Sequence, residues 1–251
     1  MKACAVMLLP NDLAWSRLNQ SLPLLKLNLL DKYPIDYVIF HEEGFSEDNK
    51  KEIKNRINGV IFKQIKFNIP KSAKNFKPLW SNDWSLEKCT SYGGMCTFFT
   101  NDIFKILIEM GYDYYLRLDD DSYLYEDFEE NPFDKMHREN KSYGYCLKIK
   151  EAPHVIQGLF SFIKEHVSTD YIFEDPHWIY YNNFEIVDLK RYYNEQIKEI
   201  SQKIHESGGI YYWRWGDAPI RTILVSIFLP GEVMKFDINY EHQGIKNKKY
   251  K

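Results

Sequence analysis

At 251 residues, 44% of them apolar, the chain is long enough to bury a substantial core, and its net charge of −3 with interspersed acids and bases offers no basic tract for nucleic acid. Its cysteines, Cys4, Cys89, Cys96 and Cys146, are too few for a disulfide scaffold and lack the CxxC spacing of structural zinc, although Cys89 and Cys96 could pair in an oxidising compartment. Aromatic residues reach 16%, which suits either rich packing or stacking on sugar-like groups.

The apolar run over 3–9 is too short to span a bilayer and reads as a buried first strand. Asn11 or Asp12 then caps a helix to about Leu29, with a kink or break expected at Pro23. A second strand covers 35–40, a charged helix opens at Ser46, and a third strand covers 60–67 before a linker carrying Pro70 and Pro78. Apolar spacing predicts a helix over 98–110 that Gly111 stops, followed by a strand over 114–118. Repeated strand–helix–strand order points to an α/β fold, a Rossmann-like and mostly parallel sheet with helices on both faces.

The second half is less regular. We expect a strand over 142–149 and a short helix over 155–165. Ile186, Leu189, Tyr193, Ile197, Ile200 and Ile204 suggest one long amphipathic helix ended by Gly208-Gly209. A strand over 210–215, a helix over 218–228 and a strand over 233–236 follow. No clean linker appears, so residues 1–245 read as one domain: 1–121 mainly for a nucleotide, 122–245 mainly for an acceptor, and 246–251 a frayed charged tail.

The run Tyr114-Tyr115-Leu116-Arg117-Leu118 delivers Asp119, Asp120 and Asp121 into a turn at the end of a strand. Three adjacent carboxylates repel one another unless a cation neutralises them; they are either a solvated acidic turn or a site for magnesium or manganese beside phosphates. Strand carboxyl ends are where ligands sit in such sheets. Glu185 reads either as a helix-dipole partner or as a catalytic carboxylate. In Trp213-Arg214-Trp215-Gly216-Asp217-Ala218-Pro219, Asp217 caps a helix or joins Arg214 and the tryptophans in a binding loop. Pro176 to Tyr181 is an aromatic segment for a sugar or for packing, and His242 is a lone histidine able to complete a carboxylate metal site.

These blocks, with Tyr143-Gly144-Tyr145, Asn183 to Leu189, Gly208 to Pro219 and Asp237 to His242, resemble the fungal Golgi alpha-1,2-mannosyltransferases of the Kre2/Mnt1 type in order and spacing. The resemblance implies a GT-A fold. It implies retaining, manganese-dependent transfer of mannose from GDP-mannose to a mannosyl or related glycan acceptor. It places Asp121 and His242 as metal ligands, with Asp119, Arg117, Tyr115 and Arg214 on the nucleotide side. Glu185 takes the position of a nucleophile or anomeric-face carboxylate, and Asp217 that of an acceptor-site or supporting carboxylate. Asp119-Asp120 stand where the family has Glu-Pro, which makes the triplet an Asp-x-Asp motif. Pro10 stands where the family carries an arginine, so the diphosphate contact is either absent or supplied by Arg117, Arg214 or Lys148. A transferase for another nucleotide sugar and an inactive carbohydrate-binding descendant are the alternatives. The compartment is the cytoplasm for the chain as it stands, or the Golgi lumen if a leading segment has been trimmed.

Overall fold

The computed structural model describes residues 1–80, 83–168 and 177–247. Strand β1 (Ala3–Leu9) leads to helix α1 (Trp15–Leu25), which continues through a π-type turn at Lys26–Leu30. Neither Asn11 nor Asp12 caps it: the helix starts after Ala14 without a side-chain cap, and Asn11 donates to the Glu43 carbonyl instead. Pro23 lies inside the helix rather than breaking it. Strand β2 (Asp36–His41), helix α2 (Glu47–Arg56) and strand β3 (Ile61–Gln64) follow as expected, with Ser46 capping α2.

The helix expected from residue 98 begins at Leu86. Helix α3 (Leu86–Thr97) passes through a π-type turn (Phe98–Asp102) into α4 (Ile103–Glu109). Gly93 and Gly94 lower intrinsic helicity, which hides this start. Packing explains them: a Cβ on either would come within 2.6 Å of the Tyr211 or Phe67 ring.

Strands β4 (Tyr114–Leu118) and β5 (Ser122–Leu124) flank the acidic turn. Helix α5 (Pro132–Arg138), strands β6 (Tyr143–Tyr145) and β7 (Lys148–Lys150), helix α6 (Leu159–His166) and strand β8 (Trp178–Tyr180) come next. Strand β9 (Phe184–Asp188) is followed by helices α7 (Leu189–Tyr192), α8 (Glu195–Ser207), α9 (Gly209–Tyr212) and α10 (Asp217–Phe228). Strands β10 (Val233–Lys235), β11 (Tyr240–His242) and β12 (Ile245–Asn247) close the described chain.

Several expectations are corrected. Glu185 does not open a helix; it lies mid-strand in β9, whose residues are buried on both faces, so its apolar positions matched helical spacing by coincidence. The single strand over 142–149 divides into β6 and β7. The strand over 210–215 is instead the short helix α9, restarted after Gly208 at φ 73°. Ile245–Asn247 pairs with β11 rather than fraying, and Lys248 to Lys251 lie outside the described residues. Cys89 and Cys96 are buried free thiols, not a disulfide.

The central sheet has the order β10-β6-β9-β4-β1-β2-β3 and is mixed. Pairs β1–β2, β1–β4, β2–β3 and β10–β6 are parallel, while β9 runs antiparallel between β4 and β6. Strands from both halves of the sequence therefore share one sheet. Alternate residues of β4 serve opposite cores: Tyr115 joins α3, α4, α8 and α10, whereas Tyr114, Leu116 and Leu118 join α1, α2 and α5. Among the described residues no helix is long and apolar enough to cross a membrane.

Gly144 marks the tightest point of the second core. A Cβ there would lie 2.6 Å from the Phe236 ring and 3.2 Å from Ile186. Gly144→Ala is expected to lower unfolding free energy by about 1–3 kcal/mol, the usual cost of overpacking. Urea denaturation monitored by tryptophan fluorescence will check this.

Candidate functional site

Strands β1 and β4 are parallel with Val6 opposite Arg117, so both deliver their carboxyl ends to the same edge. There Ser122 donates its backbone N–H to the Asp119 carbonyl at 3.0 Å and closes the acidic turn. Strand β11 pairs antiparallel with β5, placing His242 opposite Ser122. The pairing brings His242 Nε2 within 2.8 Å of Asp121 Oδ1 and 3.9 Å of Asp119 Oδ2. On the other side of the ring, Nδ1 meets the Tyr181 hydroxyl at 2.6 Å. Gln243 donates to Asp121 Oδ2 at 3.3 Å.

This pair suits a hard divalent cation. A carboxylate oxygen and an imidazole nitrogen match the donor preferences of manganese and magnesium. Their 2.8 Å separation is close to the ~3 Å between neighbouring ligands of an octahedral ion with bonds near 2.1 Å. In the tautomer with Nδ1 protonated, the Tyr181 hydroxyl oxygen accepts a hydrogen bond from Nδ1–H and Nε2 keeps its lone pair for a metal. Among the described residues no group of three or more His, Cys, Asp or Glu side chains is disposed around one point. The remaining positions would thus fall to water and substrate oxygens, the usual arrangement for magnesium-like ions.

Arg117 is 1% exposed yet fully engaged. Its Nε donates to Asp119 Oδ1 at 2.9 Å, its Nη1 to Asp217 Oδ2 at 2.5 Å, and its guanidinium lies 3.4 Å from the Phe99 ring centroid. Asn183 also donates to Asp119 Oδ2, and Asn182 donates to Asp217 Oδ2 at 2.8 Å. Burial alone would raise the Asp217 pKa, but Arg117 and then Asn182 hold it below the ordinary 3.8. Asp121 is likewise lowered against the effect of burial, chiefly by His242. Asp120 goes the other way: burial and the adjacent Asp121 push it up to about 6.

Glu185 lies on β9 directly opposite Arg117. It is completely buried, with Oε2 taking Arg221 Nε at 2.9 Å and Oε1 taking the Tyr115 hydroxyl at 2.7 Å. Tyr115 is therefore turned towards Glu185 inside the core, away from the nucleotide side where it was expected. Arg214 also stands apart from the acids. It has φ 59° and its guanidinium sits among Trp80, Trp84 and Tyr92, 4.9 Å from the Tyr92 ring centroid. Lys148 lies over the Tyr180 ring at 4.8 Å. Trp215 is buried with its indole N–H on the Gln157 carbonyl, whereas Trp178 is 47% exposed. Pro176, at the head of the aromatic segment, lies outside the described residues.

Arg221, Asn182 and Asn183 were not singled out from sequence. Arg221 follows Asp217 by four residues, one helical turn, and that spacing was the available signal. The asparagine pair before β9 offered none beyond its polarity.

A family model described as glycolipid 2-alpha-mannosyltransferase matches residues 1–249. The chain is 27% identical to glycolipid 2-alpha-mannosyltransferase 1 of Candida albicans, over 86% of this chain and 57% of that protein. It is 26% identical to the glycolipid 2-alpha-mannosyltransferase of Saccharomyces cerevisiae, over 98% of this chain and 62% of that protein. It thus spans about three-fifths of the length of these curated relatives. The crystal structure of core-mannan synthase A from Aspergillus fumigatus, in its Mn/GDP form, has the same fold. The TM-score is 0.86 with 21% identity, over 98% of this chain and 76% of that one.

Because folding lowers the Asp217 pKa, its stabilising contribution is complete above the unfolded value of 3.8 and is lost as pH falls through the lower folded value. Asp217→Asn should therefore cost about 3 kcal/mol at pH 7, the scale for breaking a buried ion pair, and the deficit should shrink below about pH 4. Urea denaturation across that range measures both.

Proposed function

The chain belongs to the glycolipid 2-alpha-mannosyltransferase family, and from that premise we propose that it is a metal-dependent retaining glycosyltransferase. It moves mannose from GDP-mannose to a mannosyl or related glycan acceptor, forming an alpha-1,2 linkage. The observation carrying this reading is the Asp121–His242 contact at the carboxyl ends of β1 and β4, beside a turn of three acids. The Mn/GDP form of core-mannan synthase A supports the same ion and nucleotide here.

Asp121 and His242 would hold the divalent ion, preferably manganese. When bound, it supplies Lewis acidity that stabilises charge on the departing diphosphate. Tyr181 keeps the His242 ring oriented through Nδ1. Asp119, clamped by Arg117 and Asn183, orients the ribose or a water. Asp217 Oδ2 is taken by Arg117 and Asn182, whereas Oδ1 has only the weak Cys96 thiol near it, at 3.6 Å, among the described residues. That oxygen is the one we assign to the acceptor hydroxyl.

Glu185 could act either as a covalent nucleophile or as a negative charge stabilising an oxocarbenium-like centre from a distance. Its complete burial and its two occupied oxygens weigh against direct attack, and its pairing with Arg221 means that any remote contribution is that of the Glu185–Arg221 pair as a whole. In that arrangement the leaving phosphate removes the acceptor proton on the same face, which preserves configuration. Tyr181 and Trp213 are the aromatic side chains proposed to flank the sugars.

Two measurements test the reading. Asp121→Ala should abolish manganese-dependent release of GDP from GDP-mannose while preserving the thermal transition; unchanged turnover, or equal turnover in chelator, would reject the assignment. Glu185→Gln, checked first for a preserved thermal transition because it leaves Arg221 without its buried acid, should retain GDP binding but lose at least ~100-fold in kcat; near wild-type turnover would exclude a role for this carboxylate. A panel of nucleotide sugars with linkage analysis of the product fixes donor and regiochemistry.

A further inference from the structure

Arg17 lies in the first turn of α1, just beyond the carboxyl end of β1. The β1–β4 register, with Val6 opposite Arg117, carries the end of β1 level with the acidic turn. Helix α1 is pinned there by Ser21, which donates to the Asp120 carbonyl at 2.7 Å. One turn earlier on the same helix face, Arg17 Nη1 lies 3.6 Å from Asp120 Oδ2 and 3.9 Å from Asp121 Oδ2.

These contacts are long, and the Arg17 side chain is 51% exposed while the two acids are 14% and 10% exposed. The guanidinium thus lies at the rim of the acidic turn, half exposed to solvent. The other cations expected to serve a diphosphate are committed elsewhere. Arg117 is buried between Asp119 and Asp217, Arg214 lies among aromatic rings, and Lys148 covers Tyr180. The acidic turn therefore has one solvent-facing guanidinium among the described residues, and it comes from α1.

We propose that Arg17 is the residue that grips the diphosphate of the nucleotide ligand. The proposal rests on the nucleotide-sugar reading and adds to it a phosphate contact from α1. Without ligand, Arg17 neutralises Asp120 and Asp121. Once Asp121 is committed to a cation, Arg17 loses one of its two acids, and its planar fork of donors turns to phosphate oxygens brought to the same edge.

The test is isothermal titration of the wild type, Arg17→Ala and Arg17→Lys with GDP in the presence of manganese, alongside the melting temperature of each ligand-free protein. Arg17→Ala should bind GDP about tenfold or more weakly, the scale of a charged hydrogen bond. Arg17→Lys should recover part of that loss, with all three melting temperatures equal. An Arg17→Ala affinity within about twofold of wild type overturns the proposal and leaves the nucleotide-sugar reading standing. An equal loss in Arg17→Lys accompanied by a lower melting temperature also overturns it, since the residue would then only shape the turn. Should the wild type itself fail to bind GDP, the nucleotide-sugar reading falls and this proposal with it.

Discussion

Everything at the site depends on one buried guanidinium. Arg117 has almost no contact with water, so its charge must be met by protein groups, and Asp119 and Asp217 meet it from opposite directions. Asp119 begins the turn after β4, while Asp217 starts α10, a hundred residues later in sequence. Removing water makes each ion pair stronger and also makes any loss of a partner costly. The arginine thereby fixes the distance between the metal-side acids and the acid we assign to the acceptor.

A second ion pair extends the same arrangement. Arg221, one turn along α10 from Asp217, neutralises Glu185 in the middle of the sheet, and Tyr115 completes the carboxylate's hydrogen bonds. Arg117 and Glu185 face each other across β4 and β9, so the two guanidiniums and their acids form one continuous polar layer beneath the edge that carries the acidic turn. Two buried guanidiniums offset two of the carboxylates Asp119, Asp217 and Glu185. The remaining acid, together with Asp120 and Asp121, faces only the Arg17 guanidinium, which leaves an excess of negative charge at the mouth. Such an excess favours cations near it, and the pKa of Asp120, raised first by burial and then by Asp121, carries part of its mark.

The acidic turn and its place at the strand ends were readable from the chain. A strand ending in consecutive aspartates has few structural explanations, because packing gives no reason to place three like charges together. The alternating β4 pattern located that strand correctly, and the early β–α order located the edge. The roles of Tyr115 and Arg214 were not readable. Tyr115 and Arg117 point to the same face, and whether a tyrosine there meets a ligand or a carboxylate depends on what β9 places opposite. Arg214 lies next to Asp217 in sequence, but a left-handed backbone at 214 turns its side chain to the aromatic cluster instead.

Local sequence was enough to establish the parallel core strands, the acidic turn at their carboxyl ends and the amphipathic helices covering them. Each of these follows from period, capping and charge within a short window. Long-range packing was needed to insert β9 antiparallel between β4 and β6, to bring His242 beside Asp121, and to set Arg17, Arg117 and Arg221 against their separate acids. The reason is physical. A strand buried on both faces loses its two-residue signature, and the energy of a buried charge depends on partners supplied by distant segments, which no local pattern encodes.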